Sequence, residues 1–538
     1  LAQDNTTNSG KLTLGKDGSV TFVPNANWVG TTTFRYRVTD GVNTSGGAGA
    51  LVTLQREITA PVARYINGTW TFEGLGAVNG RRIQIVRDRG NAQLTPQAVI
   101  QRPQVASNQW SFTRTGGPGF QTGDTVTITA TTGGGGQFSL VGVQVFAGAL
   151  TDVQNSVFVQ CPGDTNGDAV IDAPNPQHPN AVCRHLAAGD GFSVMADGTE
   201  LYTFGFNDVT GTPPSLAIDK GILNAQFPAP TLNFKEGDEV YLTLTNVGML
   251  KRPDLFDPHS VHFHGFPNAG AVFDGVPESS IAINMGFSFT YYYKIVDPGT
   301  FMYHCHVEAS EHMQMGMLGN LYVDPAQNGT AKLFGGKTYT SFVYNDGDGS
   351  TGYDVQVPIQ IASFDSEFHK EHLSVQPLPF ANMFDDYPML NGRGYPDTVN
   401  PLPIPVAAGD DAEKVNSGVT SANESSQVVH SIVHAQAGQR VLLRISNLNV
   451  TQFYTLGTTG GLQMQIVGTG AHILRGPDGA SLYYKTSSVT LGGGEAVDVL
   501  IDTTGVAPGR YLLYSTNLNK LSNGPEDFGG MMTDIIIE

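Results

Sequence analysis

The five residues Tyr303-His304-Cys305-His306-Val307 constrain this chain more than any other stretch. On a β-strand, successive side chains point to opposite faces. His304 and His306 therefore face one way and Cys305 the other. Upstream, Pro258-His259-Ser260-Val261-His262-Phe263-His264-Gly265 repeats the arrangement, with His262 and His264 in one parity and His259 in the other. If both segments are regular strands lying side by side, one face gathers four imidazoles and the other gathers His259 with the Cys305 thiolate. Downstream, Glu311-His312-Met313-Gln314-Met315-Gly316-Met317 can loop back with a second imidazole and a thioether. Two histidines, one cysteine and a weak methionine are the ligand set of a blue-copper electron-transfer centre.

A lone histidine in a β-protein is ordinarily a surface residue or a satisfied core residue. Here 6 of the 13 histidines fall between 259 and 312, where an even scatter would place about one, and clustering is itself a metal-site cue. Their alternating spacing, with a cysteine set between two of them, favours the metal reading.

These residues resemble the copper-binding part of multicopper oxidases, in the cupredoxin superfamily. The likeness is carried by His259-x-x-His262-x-His264-Gly265 and by His304-Cys305-His306 followed by His312 and Met317. Phe227-Pro228-Ala229-Pro230-Thr231, Glu236-Gly237-Asp238-Glu239-Val240, Asp274-Gly275-Val276-Pro277 and Asp297 to Tyr303 sit where that family has similar strings. The likeness runs over about residues 190–538. It implies a type 1 copper held by His259, Cys305, His312 and Met317. It also implies an oxygen-reducing cluster that takes His262, His264, His304 and His306, with His304, Cys305 and His306 as the catalytic conduit between the two.

At 538 residues the chain is long enough for three to five domains. Glycine at 66 positions, charged residues at only 14%, and Thr- and Val-rich runs between turn signals favour an all-β chain. No apolar run reaches the roughly 18 residues of a membrane helix. No charged-then-apolar leader stands at Leu1, so the chain reads as mature or trimmed. The excess of 48 acidic over 29 basic residues, a net −19, argues against a nucleic-acid partner. It either raises the local concentration of cationic substrates or serves solubility, and solubility is the more ordinary role.

The expected fold class is two immunoglobulin-like β-sandwich modules, the first incomplete, followed by two cupredoxin-type Greek-key β-sandwich domains. Residues 1–57 carry strand signals, with Phe34, Tyr36 and Val38 on one apolar face. They resemble the second half of bacterial cadherin-like or immunoglobulin-like adhesion repeats. A half-sandwich leaves an open edge, which implies a longer precursor or completion by another chain. Residues 58–150 place spaced strands at Thr69–Phe72, Arg82–Val86, Gln109–Thr113 and Thr125–Thr129, as a second sandwich requires. They resemble modules of bacterial surface proteins and show no catalytic constellation, so a spacer or assembly role is expected.

Residues 151–189 read as a connector. Cys161 and Cys183 are the only cysteines besides Cys305, so a disulfide between them is the natural pairing. It implies an oxidising, extracellular, cell-surface or periplasmic setting. Between them, Asp164, Asn166, Asp168 and Asp172 alternate like the oxygen ligands of a calcium loop. Ala169 stands where such a loop has glycine, and Asn175 where it has a bidentate glutamate. A calcium site and a plain Asx-rich turn fit this string equally.

Residues 190–325 are read as the copper-binding cupredoxin domain and 330–538 as a second one without an obvious copper motif. In the second, Ala437 to Asn447 matches a family strand, but Ser515-Thr516-Asn517 follows Pro508 to Tyr514 where an active domain carries His-x-His. A family cluster takes four His-x-His pairs, and this chain shows two. His430 with His434 and His369 with His372 are the remaining candidates, a structural role being the more ordinary one; His178, His185 and His472 read as incidental.

Three readings follow. The first is a multicopper oxidase that takes electrons singly from a small reductant at type 1 copper and passes them to O2, its cluster completed by a neighbouring subunit of a homo-oligomer. Copper nitrite reductases share this plan but typically have Asp where this chain has His262. The second is a blue-copper electron-transfer protein with a degenerate cluster. The third is a structural surface or filament subunit on the same fold. The substrate stays open among Fe(II), Mn(II), Cu(I) and phenols. Asp254 and Asp257 fit a metal-ion site or loop solvation. Met302, Met313 and Met315 fit Cu(I) capture or core packing.

Overall fold

The computed structural model describes strand segments between residues 5 and 147, and residues 160–538 apart from 256, 268, 375–376, 406–424 and 525. The chain packs as two compact units, Leu1–Asn155 and Ser156–Glu538.

The first unit is described through its strands. Asn5–Thr6, Gly10–Leu14 and Val20–Pro24 form one sheet, and Gly30–Tyr36 pairs with Ala48–Leu54. Of the apolar face expected of Phe34, Tyr36 and Val38, the first two lie in the strand Gly30–Tyr36, while Val38 falls outside the described residues. The four strands expected between 69 and 129 are present, as Thr69–Leu75, Arg82–Arg87, Gln109–Thr115 and Thr125–Thr131. Gln137–Ala147 pairs with Thr125–Thr131 and then, at its end, with Thr59–Ile66. Trp70, Phe72, Ile85, Val126 and Ile128 are buried.

The second unit contains two packed pairs of sheets. In the first, β1 (Ala181–Val194), β2 (Glu200–Asp208), β4 (Glu239–Gly248) and β6 (Ser288–Lys294) make one sheet, ordered β2-β1-β4-β6. The facing sheet runs β3-β8-β7-β5, from β3 (Ala229–Lys235), β5 (His262–His264), β7 (Gly299–His304) and β8 (Leu318–Asp324). Between them lies one core that includes Phe234, Leu242, Phe263, Tyr293, Phe301 and Tyr303. β1 begins inside the expected connector, and the Cys161–Cys183 disulfide, with Cα atoms 5.8 Å apart, ties the preceding loop to it.

The second pair packs a sheet containing β9 (Val355–Phe364), β12 (Arg440–Asn447), β14 (Met464–Thr469) and β16 (Glu495–Asp502) against one containing β11 (Val433–Ala435), β13 (Tyr454–Thr458), β15 (Ser488–Leu491), β17 (Gly509–Ser515) and β18 (Met532–Ile537); β10 (Tyr387–Leu390) edges the former. Every residue of β12 is buried, Arg440 and Arg444 among them. Helices are short: α1 (Ala217–Gly221), α2 (Ala309–Gln314) and α3 (Ser366–Glu371). Among the described residues no helix is long and apolar enough to cross a membrane.

The seam between the sandwiches is set by strand parity. In β7, Phe301 and Tyr303 belong to the first core, whereas Met302 joins Phe227, Ala362, Phe364, Met389 and Leu448 in a cluster shared by both sandwiches. Thr300, of the same parity as Met302, donates from Oγ1 to Asp498 Oδ1 on β16 at 2.5 Å. Asp498 also accepts from Tyr344 Oη at 2.6 Å, and the fully buried Arg444 lies 3.5 Å from it. A buried charge is tolerated only when so compensated.

Candidate metal centre

The alternation in β7 continues into the residues beyond it. Cys305 lies in the first core with Phe301 and Tyr303, while His304 shares the parity of the seam. The opposing strand obeys the same rule: Val261 and Phe263 are core residues, and His262 and His264 occupy the other face. The two strands are antiparallel, with His262 directly opposite His304. Regular strand geometry ends at His304, so Cys305, His306 and His259 lie just outside the paired segments. The sequence expectation assumed uniform strands; the grouping survives although His259, Cys305 and His306 lie outside the paired segments.

Two groups of ligand-bearing side chains result. In the first, His259, Cys305 and His312 are fully buried, with one ligand atom from each mutually within 4.8 Å. His312 Nδ1 stands 3.2 Å and His259 Nδ1 3.9 Å from Cys305 Sγ. Ser260 donates its backbone N–H to the sulfur at 3.4 Å. Helix α2 is what returns His312: Met315 N–H and Met317 N–H bond to the carbonyls of Glu311 and His312, and Cys305 N–H donates to Met317 O at 3.1 Å. Gly316 makes that reversal at φ +116, and a Cβ there would stand 2.8 Å from Phe204 O. Met317 is thereby buried in the same core as Cys305.

In the second group, His262, His264 and His304 lie within 4.8 Å of one another by their ligand atoms. The His306 ring is 5.0 Å from that of His262 and stacks on His304 at 5.6 Å. His304 Nδ1 lies 2.8 Å from Cys305 O and His262 Nδ1 lies 2.6 Å from Asp274 O. A carbonyl accepts only from N–H, so both contacts place the proton on Nδ1 and leave Nε2 as the lone-pair nitrogen. His264 Nδ1 faces His304 Nε2 at 3.2 Å.

Burial keeps these groups neutral. It pushes His259 and His304 down to about 3 and His312 well below its ordinary value, and lifts the Cys305 thiol to about 11. Neutral imidazoles are what a transition metal binds, and a cation at the sulfur would remove the thiol proton. The donor set, two imidazole Nδ1 atoms converging on one thiol with a buried thioether nearby, fits copper.

A third group of ligand atoms within 4.8 Å of one another comes from Asp257, Glu311 and His312. Burial, then the neighbouring Glu308, raises the Asp257 carboxyl to about 6 and that of Glu311 to about 7. Glu311 had no role on sequence grounds. Asp254 instead pairs with Arg252 at 2.9 Å.

The remaining histidines stand elsewhere. Both ring nitrogens of His369 face backbone carbonyls, of Tyr202 at 2.6 Å and Gln314 at 3.0 Å. His430 and His434 belong to none of the three groups, which are drawn from the described residues. His178 pairs with Glu239, His185 with Thr245 Oγ1, and His472 with Gly470 O. Met302 and Met315 are core residues and Met313 packs at the seam, consistent with packing rather than metal capture.

In the connector, Asp164 accepts backbone N–H bonds from Gly167 at 2.7 Å and Ala169 at 2.9 Å, Asp168 from Val170, and Asp172 from Thr165. Asn166 Oδ1 accepts from Asp168 N–H. Ala169 adopts φ +63, the conformation that glycine serves at this point of a calcium loop.

Residues 217–328 match the sequence profile described as "Multicopper oxidase", and residues 2–55 one described as "Cadherin-like domain". Multicopper oxidase MCE of Talaromyces pinophilus is 35% identical over 120 residues, and an L-ascorbate oxidase of Cucurbita pepo var. melopepo 37% identical over 107. These stretches cover 22% and 20% of this chain and 18% of each relative. The matched chain thus spans under a fifth of either relative's length. The blue copper oxidase of Nitrosomonas europaea aligns at 23% identity and a TM-score of 0.47, over 66% of this chain and 85% of that one.

Proposed function

We propose, on the premise that residues 217–328 belong to the multicopper oxidase family, that the chain is an oxidase removing electrons singly from a reductant and delivering them to O2. The reading rests on one observation above all: His259 and His312 direct Nδ1 at Cys305 Sγ, while the next carbonyl, Cys305 O, lies 2.8 Å from His304 Nδ1. His259, Cys305, His312 and Met317 would hold a type 1 copper, and His262, His264, His304 and His306 half of an oxygen-reducing cluster. Copper supplies one-electron redox chemistry at the first site and oxygen binding at the second.

The protein's own contribution is placement. The first core excludes water from the thiol. Cys305 joins the two sites through its own backbone. Asp274 and the Cys305 carbonyl fix the tautomers of His262 and His304. The remaining imidazoles would come from a neighbouring copy of the chain. The Cys161–Cys183 disulfide supports an extracellular, cell-surface or periplasmic location, and calcium at Asp164–Asp172 belongs to the same reading.

One observation favours a second reading. Gly494, in the second sandwich, stands where a Cβ would be 2.8 Å from His264 Nε2. That backbone occupies ground next to the imidazole group, as it would if the cluster were degenerate and the chain only transferred electrons. Copper stoichiometry with visible and EPR spectra separates the two. Type 1 and type 2 signals with oxygen uptake support the oxidase; one blue copper per chain without oxygen uptake supports electron transfer.

A further inference from the structure

Helix α2, which returns His312 to the thiol, has only six residues. A helix that short does not hold itself in water, so its position is set by what packs on it. The backbone bond from Cys305 N–H to Met317 O fixes the chain just beyond it. The second sandwich fixes its last residue, Gln314, which is 1% exposed. Gln314 Nε2 donates to Asp385 Oδ1 at 3.3 Å, and Gln314 O lies 3.0 Å from His369 Nε2 on α3. Just past the end of α3, His372 brings Nε2 to 3.4 Å from Glu311 Oε1 on α2.

Asp385 is built as an anchor. It is fully buried, and its Oδ2 accepts from Ser363 Oγ, Thr451 Oγ1 and, at 3.1 Å, Asn449 Nδ2. Lys520 Nζ donates to its backbone carbonyl at 2.9 Å and brings the opposite charge. Among the described residues, Oδ1 is left to Gln314 alone. Asp365 joins this anchor to α3. Its Oδ1 accepts from the N–H groups of Glu367 and Phe368 at the start of the helix, and its Oδ2 accepts from Phe384 N–H at 2.7 Å. Gln314 is therefore held at its side chain and at its carbonyl by one braced unit of the second sandwich. Buried carboxylates persist only where such bonds are supplied, and bonds to a charged acceptor are roughly twice as strong as neutral ones.

We propose that Gln314 and Asp385 are positioning residues for His312. Through them the second sandwich, which carries no copper motif of its own, sets how His312 Nδ1 meets the Cys305 thiol, and with it the spectrum and affinity of the metal bound there. The inference rests on the type 1 reading of His259, Cys305, His312 and Met317. Both residues act through the helix backbone, Gln314 from two residues beyond His312 and Asp385 from one hydrogen bond further out.

The test reverses the polarity of that bond in the copper-loaded full chain. Gln314→Glu sets two carboxylates face to face. It is expected to shift the blue absorption band and the copper EPR splitting, and to weaken copper binding about tenfold. Adding Asp385→Asn remakes the bond in the opposite sense. The asparagine amide donates to the new carboxylate, and its oxygen still accepts from Ser363, Asn449 and Thr451. The double variant should therefore return spectrum and affinity to the parental values. Gln314→Leu, which removes the bond without adding charge, should shift the spectrum in its own right and serves if Gln314→Glu does not fold. Ser446→Ala removes a buried bond to Asn320 elsewhere on the seam; it should lower the melting temperature and leave the spectrum unmoved. A blue parent whose Gln314 variants keep its spectrum and affinity overturns the positioning role. So does a folded double variant that restores neither, or a Ser446→Ala spectrum shifted as far as that of Gln314→Glu. A parent that takes up copper without blue absorption overturns the type 1 reading instead, and the positioning role with it.

Discussion

Cys305 serves two imidazole sites with different atoms: its sulfur lies 3.2 Å from His312 Nδ1, and its carbonyl oxygen lies 2.8 Å from His304 Nδ1. One residue thus turns its thiol to an imidazole on the core side and is a tautomer-setting acceptor on the seam side. Replacing the side chain should disturb only the first role. Cys305→Ser is expected to abolish intense blue absorption, because that colour needs a thiolate, while type 2 EPR signals persist. A variant that stayed blue would refute the type 1 assignment.

Met317→Leu should keep its copper and raise the reduction potential. A weak axial donor stabilises the cupric state slightly, and leucine removes it without changing the buried volume much. Redox titration followed by visible absorption measures the shift. Loss of all copper would mean that Met317 has a different role.

Arg444 is fully buried against Asp498 and Thr300, across the seam from the strand that carries His304. Arg444→Met should cost about 3–5 kcal/mol, the usual penalty for stranding one member of a buried pair. The double change Arg444→Met with Asp498→Leu should cost less than the single one, since no charge is then left alone. Urea unfolding of both variants checks the order, and a double variant weaker than the single would contradict it.

Asp190 is fully buried, accepts from Tyr202 Oη at 3.0 Å and Lys251 N–H at 2.8 Å, and is pushed by burial up to about 6. Its unfolded value is near 4, so between about pH 4 and 6 the folded chain holds a proton that the unfolded chain has released. Raising the pH through that window favours unfolding. Relative to Asp190→Asn, the wild type should lose about 2–3 kcal/mol of stability from pH 4 to 6. Parallel stability curves for the two proteins would show that Asp190 carries no such proton.

The grouping of the ligand-bearing side chains was legible because their geometry is written in local spacing. His262 and His264, like His304 and Cys305, are sorted by strand parity alone, and α2 needs only seven residues to return His312 to Cys305. What spacing does not encode is the meeting of the two sandwiches. His372 lies 60 residues beyond His312, and Gly494 lies 230 beyond His264. Gly494 sits in no motif, His372 was weighed only by its spacing from His369, and both take their meaning from the meeting of the two sandwiches. His369 shows the converse: it was weighed as a cluster candidate by spacing, yet its two ring nitrogens are taken by backbone carbonyls.

The six residues of β7, with Cys305 just after them, work like a reading frame. Odd positions spell out core and thiol; even positions spell out seam and imidazole. Substitutions alter one word at a time, but deleting any single residue upstream of His304 within the strand would transpose every word after it. The thiol would then point at the neighbouring sandwich and the imidazole into the core. Length in this strand is therefore less negotiable than composition, and inserted or deleted residues belong in the loops at its two ends.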